Sequence, residues 1–373
     1  MLSNLLDPAI LFFFLGVVAG AVRSNLEIPP PVTKFISLYL LMALGFKGGQ
    51  ALSSTGMTGE GLAVVGVAIL LALALPSLGF LVLRRRISPF DAAAIAATYG
   101  SVSAVTFITA SQFVADEGTP AGGYLTVALV LMESPAIVMA VLLAAWVRSR
   151  QTAPAEPAPA SAIDLDPVPT AARRTRDGAV VESTATGAVA RARRALDSGP
   201  APDDAGGPEP LSIRAVLHEA FTDGANLLLI GSLIIGAVSG TEGGEIMKPF
   251  VGDIFKGLLS FFLLEMGLLV ARQLRETRDV GPFLIGYALV MPLIGATLAL
   301  SLGTLFGFEV GDLTLLTVLA ASASYIVVPA VVRYAIPEAR PSRYLTMALA
   351  VTFPFNIVIG IPLYHSMAER LVG

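Results

Sequence analysis

Two short patterns in this chain place paired hydroxyls where hydroxyls are rare. Gly100-Ser101-Val102-Ser103-Ala104 and Ala321-Ser322-Ala323-Ser324-Tyr325 each sit in the middle of an apolar run of helical length. A serine side chain competes for backbone hydrogen bonds, and glycine costs about 1 kcal/mol relative to alanine, so both patterns weaken a helix where they stand. A helix that breaks there exposes a half-helix N-terminus, with free N–H groups and roughly half a positive charge. That end suits an anion. The matching half-helix C-terminus and its loosened carbonyls suit a cation such as sodium.

The sequence around the hydroxyls is duplicated. Residues 91–113 (DAAAIAATYGSVSAVTFITASQF) align without a gap on residues 312–334 (DLTLLTVLAASASYIVVPAVVRY). The copies resume as Tyr124-Leu125-Thr126 and Tyr344-Leu345-Thr346. A single small-x-small pattern in a membrane helix marks close packing. The same hydroxyl-interrupted segment in two copies points to a transporter binding site at about mid-membrane depth.

Composition agrees. The chain is 55% hydrophobic and 14% charged, with a mean hydropathy of +0.76. Its apolar stretches reach the ~20 residues a helix needs to cross a bilayer. Backbone groups in hydrocarbon must be satisfied internally, which makes helices the expected form. With no cysteine, disulfides and thiolate chemistry are excluded. The first apolar run has no basic residue before it, so it reads as a retained span rather than a signal peptide. The fold expected is an all-α polytopic membrane protein of ten spans, at residues 7–22, 31–53, 61–83, 90–115, 121–147, 222–239, 249–272, 281–306, 312–335 and 341–366. Pro29-Pro30-Pro31, Ser88-Pro89, Gly118-Thr119-Pro120, Gly243-Gly244, Gly281-Pro282 and Pro337 punctuate them.

This divides the chain into a first five-helix repeat (residues 1–149), a linker (150–211) and a second repeat (212–373). The linker is rich in Ala, Pro, Asp and Arg, is too polar to bury a core, and is expected to be disordered. Its Arg173-Arg174 and Arg191-Arg193-Arg194 clusters suit anionic lipid or a partner protein. With the N-terminus outside, the inner loops hold Arg23, Lys34, Arg84, Arg85, Arg86, Arg148, Arg150, the linker arginines, Arg214, Arg272, Arg275, Arg278, Arg333, Arg340 and Arg343, while the outer side keeps only Lys248, Lys256 and Arg370 as basic residues. The asymmetry predicts both termini outside and the linker cytoplasmic. Five spans per copy is odd, so the repeats must be inverted, with spans four and nine discontinuous and crossing.

Few ionisable groups lie inside the spans. Glu133, in Met132-Glu133-Ser134-Pro135, and Asn356, in Phe353-Pro354-Phe355-Asn356, are candidates for cation coordination or for bracing the crossing. Lys47 and Glu265 read as structural, paired or near an edge. Asp91 and Asp312 read as N-caps of spans four and nine. Trp146 reads as an interfacial anchor. His218 and His365 suggest no function.

Together with Leu264-Glu265-Met266-Gly267, these motifs resemble the sodium-dependent bicarbonate transporter family first associated with cyanobacteria. The resemblance covers both membrane halves and not the linker. It implies homotrimers, bicarbonate uptake driven by sodium, and control by a PII-like protein that binds adenine nucleotides. Carried onto this chain, it lays the anion against Gly100, Ser101, Ser103, Ala104, Ser322, Ala323, Ser324 and Tyr325, and sodium near Ser103, Thr106 and Ser322. Where the family pattern has Gly-Ser-Thr after the second serine, this chain has Ala104, Val105 and Thr106, one hydroxyl fewer.

The function expected is a plasma-membrane sodium–bicarbonate symporter working by alternating access. One domain would move against a scaffold of spans one, two, six and seven. A sodium-coupled carrier for another small anion, such as a monocarboxylate, and a passive anion channel are the alternatives. No cofactor and no nucleic-acid partner are expected, and no catalytic constellation at membrane depth suggests an enzyme.

Overall fold

The computed structural model of the protein describes residues 6–151, 224–275, 280–325 and 327–372. Secondary structure among the described residues is helical, and seven helical runs are long and apolar enough to cross a membrane. The linker arginines at 173–194 and His218 lie outside the described residues.

Each helix starts where the sequence supplies a cap or a proline. Helix α1 (Pro8–Ala21) opens on Asp7, whose carboxylate accepts the Ala9 N–H at 2.8 Å. Helix α2 (Pro30–Thr55) begins at the proline run and ends at Gly56, where φ is +71°. Thr58 caps α3 (Gly59–Leu83), its hydroxyl accepting from Gly61 N at 3.1 Å. Ser88 caps α4 (Pro89–Gly100). Then follow α5 (Ala104–Asp116) and α6 (Tyr124–Gln151). The second half holds α7 (Gly224–Lys248), α8 (Ile254–Leu274), α9 (Pro282–Phe306), α10 (Val310–Ala320), α11 (Val327–Ala335) and α12 (Pro341–Val372).

The expected turn at Gly243-Gly244 falls elsewhere. The chain reverses at Gly240, with φ +55° and ψ −150°, a conformation open to glycine and costly for other residues. Beyond it the backbone runs back along α2: the Tyr39 hydroxyl donates to the Phe250 carbonyl, and the two rings meet edge to face at 4.9 Å.

Helices α1, α2, α7 and α8 pack through glycine. A Cβ at Gly16 of α1 would collide with the Leu264 carbonyl of α8, and one at Gly267 with the Phe13 carbonyl. Gly45 and Gly49 of α2 lie as tightly against Leu229 and Leu233 of α7. Without a hydrophobic force between helices in lipid, this close backbone approach gains the dispersion contacts that hold them. Glycine thus carries the pairing of α1 with α8 and of α2 with α7.

The other helices surround the crossing. Helix α3 packs on α4 and α6, and α9 on α10. A Cβ on Gly100 would lie 2.5 Å from Pro76 Cγ of α3, and one on Gly295 of α9 would collide with the Ala320 carbonyl at the end of α10.

Asp91 and Asp312 are not N-caps. Asp91 is in the first turn of α4 while Ser88 supplies the capping oxygen, at 3.2 Å from Asp91 N. The Asp91 carboxylate instead accepts from Arg340 N at 2.9 Å and Arg343 Nη1 at 2.8 Å, at the start of α12. Asp312 mirrors it, accepting from Gly122 N at 2.7 Å and from the Tyr124 hydroxyl at the start of α6. Both aspartates are buried, and each ties one half of the chain to the other. Lys47 and Glu265 do not pair. Lys47 Nζ sits 4.2 Å from the centre of the Phe255 ring, while buried Glu265 has Arg272 and Glu27 as its charged neighbours. Trp146 is partly exposed and meets Phe80 edge to face at 5.5 Å.

Candidate functional site

Spans four and nine are both broken at their hydroxyl pairs. Helix α4 stops at Gly100. Ser101 is extended (φ −101°, ψ 177°), and Ser103 (φ −106°, ψ 109°) caps α5. Helix α10 stops at Ala320, residues 322–324 lie outside helix, and α11 starts at Val327. Ser101, Val102, Ser103, Ser322, Ala323 and Ser324 are all buried.

The two breaks touch. The Ser103 N–H donates to the Ser322 hydroxyl at 3.1 Å. In return the Ser324 N–H donates to the Thr98 carbonyl at 2.9 Å. In a continuous helix that carbonyl would have accepted from Val102 N. One break therefore satisfies a backbone group orphaned by the other, which is what burial at this depth demands.

The serine side chains are largely committed to the backbone. Ser103 Oγ accepts from Thr106 N at 3.2 Å and from the Thr106 hydroxyl at 2.9 Å. Ser322 Oγ donates to the Leu319 carbonyl at 2.9 Å. Ser324 Oγ accepts from Val328 N at 3.3 Å, capping α11. The Ser101 hydroxyl differs: it is buried and makes no hydrogen bond among the described residues. The Tyr325 hydroxyl faces Ser103 without reaching hydrogen-bond geometry.

Helix α12 braces the crossing. It is interrupted by two π-helical turns, Met347–Thr352 and Asn356–Gly360. Between them stands Pro354, which has no N–H to donate to the preceding turn. The Asn356 amide donates to the Ala321 carbonyl at 2.7 Å, and its oxygen accepts from the Tyr364 hydroxyl at 2.9 Å. Thr352 donates to the Ala288 carbonyl of α9 at 2.7 Å and lies 2.6 Å from the Tyr99 hydroxyl. The Tyr325 ring leans edge to face on Phe353, which leans on Phe13 of α1.

Most of the residues singled out by sequence thus converge. Ser103, Thr106 and Ser322 are joined by hydrogen bonds. Gly100, Ser101, Ala104, Ala323, Ser324 and Tyr325 form or flank the two breaks, and Asn356 reaches them through the Ala321 carbonyl. Glu133 is buried on α6, a helix that packs against α4 and α11. Sequence reasoning missed Thr98 and the Tyr99–Thr352 contact. A carbonyl acts at Thr98, and no side-chain pattern announces it. Pro354 was the available signal for the brace.

Among the described residues no group of three His, Cys, Asp or Glu could hold a metal ion. The oxygens at the crossing are hydroxyls and carbonyls, weak-field donors compatible with a monovalent cation in transit.

An all-helical, multi-pass membrane protein with two broken helices crossing inside it has the architecture of a secondary transporter. The profile of the Na+-dependent bicarbonate transporter superfamily matches residues 8–369, nearly the whole chain, and the protein belongs to that family. It is a family of transporters, not of enzymes. No curated protein matches the chain significantly.

Proposed function

We propose that the protein is a sodium-driven symporter that imports bicarbonate by elevator-like alternating access. The observation that carries this reading is the buried contact between the breaks, where the Ser101 hydroxyl has no hydrogen-bond partner among the described residues. Bicarbonate presents three oxygens and one negative charge. Against the crossing it would accept from the Ser101 and Tyr325 hydroxyls and from the first amides of α5, at Ala104 and Val105, which have no intrahelical partner. Gly100, Ser103, Ser322, Ala323 and Ser324 shape the backbone around it. Sodium would take oxygens near Ser103, Thr106 and Ser322. Its charge would lower the cost of holding an anion at membrane depth. Asn356 and Glu133 would steady that cation site or the helices around it.

Ten spans in two inverted repeats, 1–149 and 212–373, with the 150–211 linker between them, complete the reading. Three relations support it. Helix α1 runs parallel to α8, since Gly16 and Gly20 meet Leu264 and Ala271 in the same order. Helix α2 likewise runs parallel to α7. Successive spans run oppositely, so these pairings make α1 and α7 enter the membrane from opposite sides. Third, Asp91 and Asp312 make reciprocal ties to the start of α12 and of α6. The glycine-packed group α1, α2, α7 and α8 would be the scaffold, and the crossing with its surrounding helices the moving part. The distribution of basic residues supports a plasma-membrane protein with both termini outside and a cytoplasmic linker. Homotrimer assembly and a PII-like regulator rest on family resemblance alone.

The test is uptake of labelled bicarbonate into proteoliposomes with and without an inward sodium gradient. Uptake should collapse without sodium and should resist competition by acetate or lactate. Uptake that persists without the gradient would favour a channel, and displacement by a monocarboxylate would reassign the anion.

A further inference from the structure

We propose that the end of α3 carries a binding site for the headgroup of an anionic phospholipid. The inference rests on the chain spanning a bilayer and is independent of what it transports. Three consecutive arginines, Arg84, Arg85 and Arg86, follow the last turn of α3, and all three are exposed. Among the described residues none of them forms an ion pair. Three exposed guanidinium groups at the end of a membrane span lie where lipid phosphates lie.

Two of the three are held in place. The Arg84 guanidinium stands 5.5 Å from the Trp146 ring and 5.9 Å from the Phe80 ring. These rings meet edge to face and join α6 to α3. The Arg86 guanidinium stands 5.6 Å from the ring of Phe283, at the start of α9. Stacking on an aromatic face leaves the N–H edge of a guanidinium free for the two parallel bonds a phosphate accepts. The site is thus assembled from the ends of three helices.

What lies beside the arginines favours a lipid over a soluble acidic protein. Leu81 and Val82 on α3 and Leu142 on α6, one turn before Trp146, are exposed. They continue from the charged cluster toward the membrane interior, as acyl chains below a bound headgroup would. A protein partner would leave this apolar strip unexplained. The site also has a mechanical position. Arg86 is two residues from Ser88, the cap of α4, so a bound lipid would anchor the corner from which the first broken helix departs.

Native mass spectrometry on the full chain, released from mixed phosphatidylcholine and phosphatidylglycerol micelles, tests this directly. The wild type should retain phosphatidylglycerol in preference to phosphatidylcholine. Each of Arg84→Gln and Arg86→Gln should lower that preference about fivefold, the size expected for one basic group near an anionic surface. Phosphatidylcholine retention should not change, which also reports that the variants remain folded. Equal retention of the two lipids by the wild type would overturn the proposal and leave the arginines to an acidic soluble partner. Undiminished preference in the double variant, or displacement of the lipid by millimolar inorganic phosphate, would overturn it as well.

Discussion

The Asp91 carboxylate lies 2.8 Å from the Arg343 guanidinium, joining the first turn of α4 to the first turn of α12 across 252 residues of sequence. The side chain of the aspartate is almost fully buried and that of the arginine about four-fifths buried. An ion pair so placed, with Arg340 N also on the carboxylate, registers the broken helix against the helix that braces it.

Removing one member should therefore cost more than removing a surface pair. Arg343→Ala leaves a buried carboxylate with one backbone donor and should destabilise the protein by about 2–4 kcal/mol. Thermal unfolding in detergent measures it. A change below about 0.5 kcal/mol would show that water replaces the guanidinium there.

Ser101 and Ser103 should separate substrate contact from structure. Ser101→Ala removes a hydroxyl with no hydrogen-bond partner among the described residues, so stability should stay within about 0.5 kcal/mol of the wild type. Bicarbonate uptake at subsaturating substrate should fall about tenfold, the loss expected for one hydrogen bond to a charged ligand. Ser103→Ala should lower uptake and also cost about 1 kcal/mol, because that hydroxyl caps α5. Unchanged uptake by Ser101→Ala would move the anion elsewhere.

The tight approaches around the crossing should tolerate no added methyl. Gly100→Ala sets a Cβ against Pro76, and Gly295→Ala sets one against the Ala320 carbonyl. Each should destabilise by about 1–3 kcal/mol through overpacking. Gly66→Ala, where a Cβ meets open space, should be neutral or slightly stabilising in the same unfolding assay.

Glu338 predicts a small pH effect at the loop after α11. Burial pushes its carboxyl up, but the Arg148 hydrogen bond, a bond from its own backbone N–H and the Arg148 charge together outweigh this and hold it below the usual value. Such a group adds stability that is fully present above its unfolded value of about 4.3 and is lost as the pH falls through the lower folded value. The two side chains are 43% and 39% exposed, so screening limits the gain to a few tenths of a kcal/mol. The stability difference between wild type and Glu338→Gln should be measurable at pH 7 and vanish near pH 3. A difference that persists at pH 3 would assign it to packing.

Much of this arrangement is legible in the sequence. Ser101–Ser103 and Ser322–Ser324 interrupt long apolar runs, and local propensity alone marks such places as weak points of a helix. Helix limits were legible wherever a capping side chain or proline stood at the boundary, as at Ser88-Pro89. The turn expected at Gly243-Gly244 fell at Gly240, because several glycines there offer the same freedom and packing against α2 selects among them. The capping roles expected of Asp91 and Asp312 failed for a similar reason. An aspartate in a first turn looks alike whether its carboxylate serves its own helix or a distant one.

By itself the sequence determined the helical, membrane-spanning character of the chain and the location of its two weak points, since hydropathy and helix propensity are properties of neighbouring residues. Only the tertiary structure decided that the Ser103 N–H meets the Ser322 hydroxyl, that Ser324 N takes the Thr98 carbonyl, and that the Ser101 hydroxyl finds no partner among the described residues. A backbone group freed by a broken helix must find a partner when it is buried, and which partner it finds depends on residues hundreds of positions away.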